Sequence, residues 1–187
     1  MNLMLAGLAL WVAIHMLPSA GLGLKQSLVA RIGLLPYRAG FVLIVLTAMS
    51  LLVLGWRSAQ PVSIYLPLPA LRPVAIGLVV IALVILSATG RASRIGRVVR
   101  FPQLTGMLLW ACAHLLANGD SRSLLLFGGF IAWALLEMFL ISRREGPWIK
   151  PSAPSWTREI VIITIALAGV GVVMVIHPWI TGMPIFW

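Results

Sequence analysis

RAGFVLIVLTAMSLLVLGW, residues 38–56, opens on Arg38 and then runs eighteen residues without another charge. A helix rises about 1.5 Å per residue and a bilayer's hydrocarbon is ~30 Å thick, so about 20 such residues cross it. The stretch reads as a membrane span. Five more segments of this kind lie around it, at 2–19, 72–89, 102–118, 121–141 and 159–177. Gly, Pro and Arg punctuate the gaps, as in GRASRIGRVVR and SRREGPWIKPSAPSWTR. The whole chain of 187 residues is 61% hydrophobic and only 10% charged, with a mean hydropathy of +1.06. A soluble domain of this size needs far more polar surface. The expected fold class is therefore an all-α integral membrane protein, a bundle of about six transmembrane helices forming one domain over 1–187.

The net charge of +10 does not point to nucleic acid. The bases sit in short segments between apolar runs, and no basic and aromatic patch is long enough to track a phosphate backbone. With six spans, eleven of the fourteen bases fall on one side: Lys25, Arg31 and Arg38; Arg91, Arg94, Arg97 and Arg100; Arg143, Arg144, Lys150 and Arg158. Arg57, Arg72 and Arg122 fall on the other. Basic loops stay cytoplasmic, so both termini are expected to face outward. The first residues lack a positive n-region and a following A-x-A site, so they read as the first span rather than a cleaved signal. Between spans, Leu22, Leu24, Leu28, Ile32 and Leu35 alternate with Lys25 and Arg31, the pattern of an amphipathic segment lying on the inner interface. Residues 60–71, with three prolines, read as an extended outer loop.

Chemistry has few places to live. The acids are Asp120, Glu137, Glu145 and Glu159, the histidines His15, His114 and His177, and the single cysteine Cys112. There is no GxSxG, Walker loop, HExxH or Cys-x-x-Cys, which argues against a protease, a nucleotide hydrolase or a zinc enzyme. Cys112 reads as a small apolar filler, and Glu145 and Glu159 as ordinary inner-loop acids. Glu137 is too deep for a surface acid and is expected to pair with an arginine or bridge helices.

Histidine in hydrocarbon is the notable choice, because an ionisable group there is costly. LWVAIH (10–15) and LWACAH (109–114) share a Leu-Trp-x-x-x-His frame. Trp11 lies one turn before His15, and Trp110 one turn before His114, on the same helix face. The two frames belong to opposite halves, spans 1–3 and 4–6, which would insert in opposite orientation as an inverted repeat. By helical rise the two α-carbons would differ in depth by on the order of 10 Å. That is too far for one small ion, yet compatible with a porphyrin between the imidazoles. Each histidine also has a plain reading, a hydrogen bond to a neighbouring helix. His177, before Pro178 and Trp179, reads as an interface residue and, at the outer depth of His114, as a substitute ligand.

RFPQLTGMLLWACAHLLANGDSRSLLLFGGFIAWAL (100–135), together with LWVAIHMLPS and the stretch up to PYRAGF, closely resembles the NnrU family of bacterial membrane proteins. That family is similar to zeta-carotene isomerase, a membrane enzyme carrying haem b on two helix-borne histidines. The resemblance implies haem b ligated by His15 and His114 in a bacterial inner (cytoplasmic) membrane, and a redox or sensing role linked to nitrite and nitric oxide metabolism. Trp11 and Trp110 would wall the pocket, and Arg100 or Arg122 would neutralise propionates. Cys112 stands two residues before His114, where the isomerase has its cysteine three before. The family's common Arg-His-Pro is Arg100-Phe101-Pro102 here, which removes the signature shared with isoprenylcysteine-type methyltransferases. Two other functions stay open: a haem-dependent isomerase of a polyene or other membrane lipid, and a cofactor-free structural or assembly subunit working with other membrane subunits.

Overall fold

The apolar runs fold as helices, three of which reach past the expected segments and two of which stop just short of them. In the computed structural model, residues 1–90 and 92–183 are described, and these contain seven α-helices and no strand. They are α1 (Asn2–Ser19), α2 (Leu22–Ile32), α3 (Leu34–Ser58), α4 (Arg72–Ser87), α5 (Pro102–Ala117), α6 (Ser121–Glu145) and α7 (Trp156–Thr181). A 3₁₀ turn, Pro69–Leu71, leads into α4. Five helices are long and apolar enough to cross a membrane: α1, α3, α4 with its turn, α6 and α7. The sixth expected span is α5, with 16 residues. Arg91, counted among the inner bases, lies outside the described residues.

Several boundaries moved outward for a physical reason. Hydropathy marks only the part of a helix that lipid must cover, whereas polar residues extend the same helix into water. At its start α3 reaches back past Arg38 to Leu34, with Pro36 in its first turn, where a missing N–H costs no helical bond. At its other end α6 runs on through Arg143 and Arg144, cations favoured near a helix C-terminus.

The chain divides into two compact units, Met1–Pro61 and Val62–Trp187. In the first, α1 packs on α3 through small residues. A Cβ on Gly7 would stand 2.9 Å from the Ala48 carbonyl oxygen and the Leu52 nitrogen, and Gly55 abuts Met4 as closely. Lipid gives helices little hydrophobic reason to associate, so close van der Waals packing at such residues has to hold them. The amphipathic segment is indeed a helix, α2, with no buried residue. Gly33, at φ 87°, joins it to α3, a backbone conformation that glycine adopts without a Cβ penalty.

In the second unit α5 packs against both α4 and α6, and α4 also meets α7. Gly106 lies against Ala82 and Leu86, which lets α4 and α5 approach closely. Buried Phe127, Phe130, Trp133 and Ala134 form one stripe of α6 at helical spacing. At the end where α6 finishes and α7 begins, Glu159 is 3% exposed. Its carboxylate accepts the backbone N–H groups of Arg94 (2.7 Å) and Ile95 (3.2 Å). The Arg94 guanidinium lies 3.8 Å above Trp156. Glu159 is therefore not an ordinary loop acid: it ties the α4–α5 loop to the start of α7. Glu137 is as buried as Glu159, but among the described residues the ion pairs are Arg122–Asp120 and Arg144–Glu145. The arginine partner expected for Glu137 is absent from them.

Candidate functional site

Each Trp-x-x-x-His frame folds into the same local unit, because residues four apart on a helix stack above one another. Nδ1–H of His15 donates to the Trp11 carbonyl at 2.9 Å, and Nδ1–H of His114 to the Trp110 carbonyl at 2.8 Å. A carbonyl only accepts, so the proton sits on Nδ1 and the lone pair on Nε2. That tautomer is the one in which imidazole presents Nε2 to a metal, with its other nitrogen held by a backbone oxygen. The rings also lie on their tryptophans, with centroids 4.1 Å apart for Trp11–His15 and 4.7 Å for Trp110–His114.

Around His114 the second unit gathers further groups. The Phe127 ring stacks on the imidazole at 4.5 Å. Phe127 and Phe130 both meet Trp110 edge-on. The imidazole of His177, in the last turns of α7, stands 6.5 Å from that of His114, centroid to centroid. Nδ1 of His177 lies 3.2 Å from the Met183 carbonyl, to which it donates, and 3.5 Å from the Thr181 hydroxyl. Among the described residues no three His, Cys, Asp or Glu side chains converge as a metal cage. Imidazoles that come singly or in pairs match the one or two protein donors that an iron porphyrin takes. An imidazole with its lone pair on Nε2 is among the donors that haem iron takes.

The same end of the unit is closed by hydrogen bonds. Asp120 caps α6, accepting the N–H groups of Arg122 and Ser123 at 3.0 Å and the Ser123 hydroxyl at 2.8 Å. Its carboxylate lies 3.6 Å from Nε of Arg122, whose other end donates to the Met183 sulfur. The extended segment from Val62 pairs with the α5–α6 turn: Ile64 and Tyr65 donate N–H to the Gly119 carbonyl, and Ser121 to Val62. The Tyr65 hydroxyl then reaches the carbonyls of Leu115 and Asn118, capping the helix end that carries His114. Burial, and after it the nearby Asp120 carboxylate, holds the Tyr65 phenol above its ordinary pKa.

The expected site residues are thus distributed unevenly. His114, Trp110 and Arg122 lie at this end of the second unit. Arg100 sits at the opposite end of α5, on the order of 20 Å along the helix from His114, where it donates to the Gly146 carbonyl at 2.7 Å. His15 and Trp11 lie in the first unit, where Phe41 meets the His15 ring edge-on at 5.4 Å. Cys112 is a half-buried free thiol. Sequence reasoning missed Tyr65 and Phe127 altogether. Tyr65 gave a faint signal as an aromatic inside a proline-rich loop, and Phe127 none beyond helical spacing.

A family model described as NnrU protein matches residues 3–185. No curated protein and no solved structure matches the chain.

Proposed function

The chain belongs to the NnrU family, and from that premise we propose that it is a haem b-binding protein of a bacterial inner membrane with a redox or sensing role in nitrite and nitric oxide metabolism. The reading includes six spans, α5 among them, with both termini outside. One observation carries it: both histidine frames fix the Nδ1 proton on a tryptophan carbonyl and so offer Nε2 as a metal ligand. His114 is the anchor ligand of the second unit, and His15 carries the same ligating frame in the first. Trp110 and Phe127 would line the haem beside His114, and Trp11 beside His15. Arg122, partly balanced by Asp120, would neutralise a propionate. A bound haem supplies one-electron chemistry at a potential set by its axial ligands and their hydrogen bonds. The chain's contribution is to hold two neutral imidazoles and to keep their tautomer.

The test is optical. Protein purified from haem-replete cells is expected to show a Soret band and, on dithionite reduction, the sharp α and β bands of six-coordinate haem. His114→Ala removes that low-spin spectrum. A colourless preparation, or an unchanged spectrum in His114→Ala, overturns the reading.

A further inference from the structure

His114 has a second imidazole beside it within its own unit. Two imidazoles on opposite sides of one metal, each with a metal–nitrogen bond of about 2 Å, have ring centres on the order of 6 Å apart. His114 and His177 stand at 6.5 Å with planes 34° apart, which is the span of a single intervening ion. Neither ring is loosely held. Trp110 fixes His114 through its carbonyl. The turn after α7 fixes His177: Met183 takes its Nδ1 proton, while the Thr181 hydroxyl donates to the His177 carbonyl at 2.9 Å and accepts the Met183 N–H at 3.1 Å. Arg122 secures the same turn through the Met183 sulfur at 3.2 Å. Nδ1 of His114 meets the Trp110 carbonyl, and Nδ1 of His177 meets the Met183 carbonyl and, at 3.5 Å, the Thr181 hydroxyl; with the proton on Nδ1, each ring presents Nε2 as its acceptor.

We infer that His177 is a third imidazole of the proposed haem site, able to complete the coordination of His114 from within residues 62–183. The inference rests on the haem reading and adds to it: His114 has two possible partners, His15 and His177, and coordination by two imidazoles does not depend on the first unit. Arg122 acts through Met183 as a positioning residue for the His177 turn.

The experiment uses the full-length protein in detergent, loaded with haem, with electronic absorption and electron paramagnetic resonance as readouts. His15→Ala is expected to remain six-coordinate and low-spin, and His15→Ala/His177→Ala to become five-coordinate and high-spin. A high-spin His15→Ala overturns the inference and leaves the haem reading standing. A double variant that stays low-spin overturns it as well, since some other side chain is then the ligand. Wild-type protein without a Soret band overturns the haem reading itself. If His15→Ala is not recovered folded, His15→Gln keeps a polar side chain on α1 and gives the same readout.

Discussion

The frames LWVAIH and LWACAH fold alike and are housed differently. In both, histidine donates back one turn to tryptophan and lies on its ring. Around His15 the first unit adds an edge-on Phe41. Around His114 the second unit adds a stacked Phe127, a neighbouring His177, a capped α6 and a tyrosine clasp. A six-residue pattern therefore sets the tautomer of a histidine, while its surroundings come from segments tens of residues away. The difference teaches that one local frame can be set in different surroundings: His114 is held among α5, α6 and α7, whereas the Phe41 that meets His15 comes from α3.

The largest expected effect breaks this contrast at the stacked ring. Phe127 is buried against Trp110 and His114, so Phe127→Ala leaves a cavity costing roughly 3 kcal/mol. Phe41 is only half-buried, and Phe41→Ala is expected to cost less than half as much. Unfolding titrations in mixed micelles measure both, and equal costs would show that the two frames are supported alike. Next in size is the helix cap. Asp120→Ala frees the N–H groups of Arg122 and Ser123, a loss of about 1–2 kcal/mol. The first helix has no side-chain cap to lose.

The smallest effect concerns the clasp. Tyr65→Phe keeps the ring but removes the hydroxyl that meets Leu115 and Asn118, a loss of about 1 kcal/mol. The phenol must keep its proton to donate, and its pKa is raised above 10.0 in the folded chain. The clasp's contribution is thus complete below about pH 10, the unfolded value, and fades as pH climbs through the folded one. The stability gap between wild type and Tyr65→Phe should be flat from about pH 6 to 9 and close only above about 10. A gap that changes near neutrality would assign the effect to another group.

Much of the fold could be read in the residues because lipid imposes a length and an apolar surface on each span. Residues 38–56 announce α3, and Leu22, Leu28 and Ile32 announce α2. The ends were less legible, since Arg143 and Arg144 prolong α6 without adding to its hydropathy. The site was half visible. Spacing alone reveals the Trp110–His114 back-bond, a contact four residues apart. Nothing periodic reveals that His177 reaches His114, that Tyr65 reaches Leu115, or that Glu159 reaches Arg94, because those partners are 50 to 65 residues apart. The same gap explains why Glu159 was read as an exposed acid and why Arg100 and Arg122 looked interchangeable.

The brevity of α5 has a consequence for the surrounding lipid. Its 16 residues rise about 24 Å, some 6 Å short of an average hydrocarbon layer. A helix of that length crosses a full-thickness bilayer only where the hydrocarbon is locally thinned or where flanking residues complete the crossing. His114 stands three residues before the end of α5, so its imidazole is carried within about 5 Å, along the helix axis, of the end where that shortfall would be met.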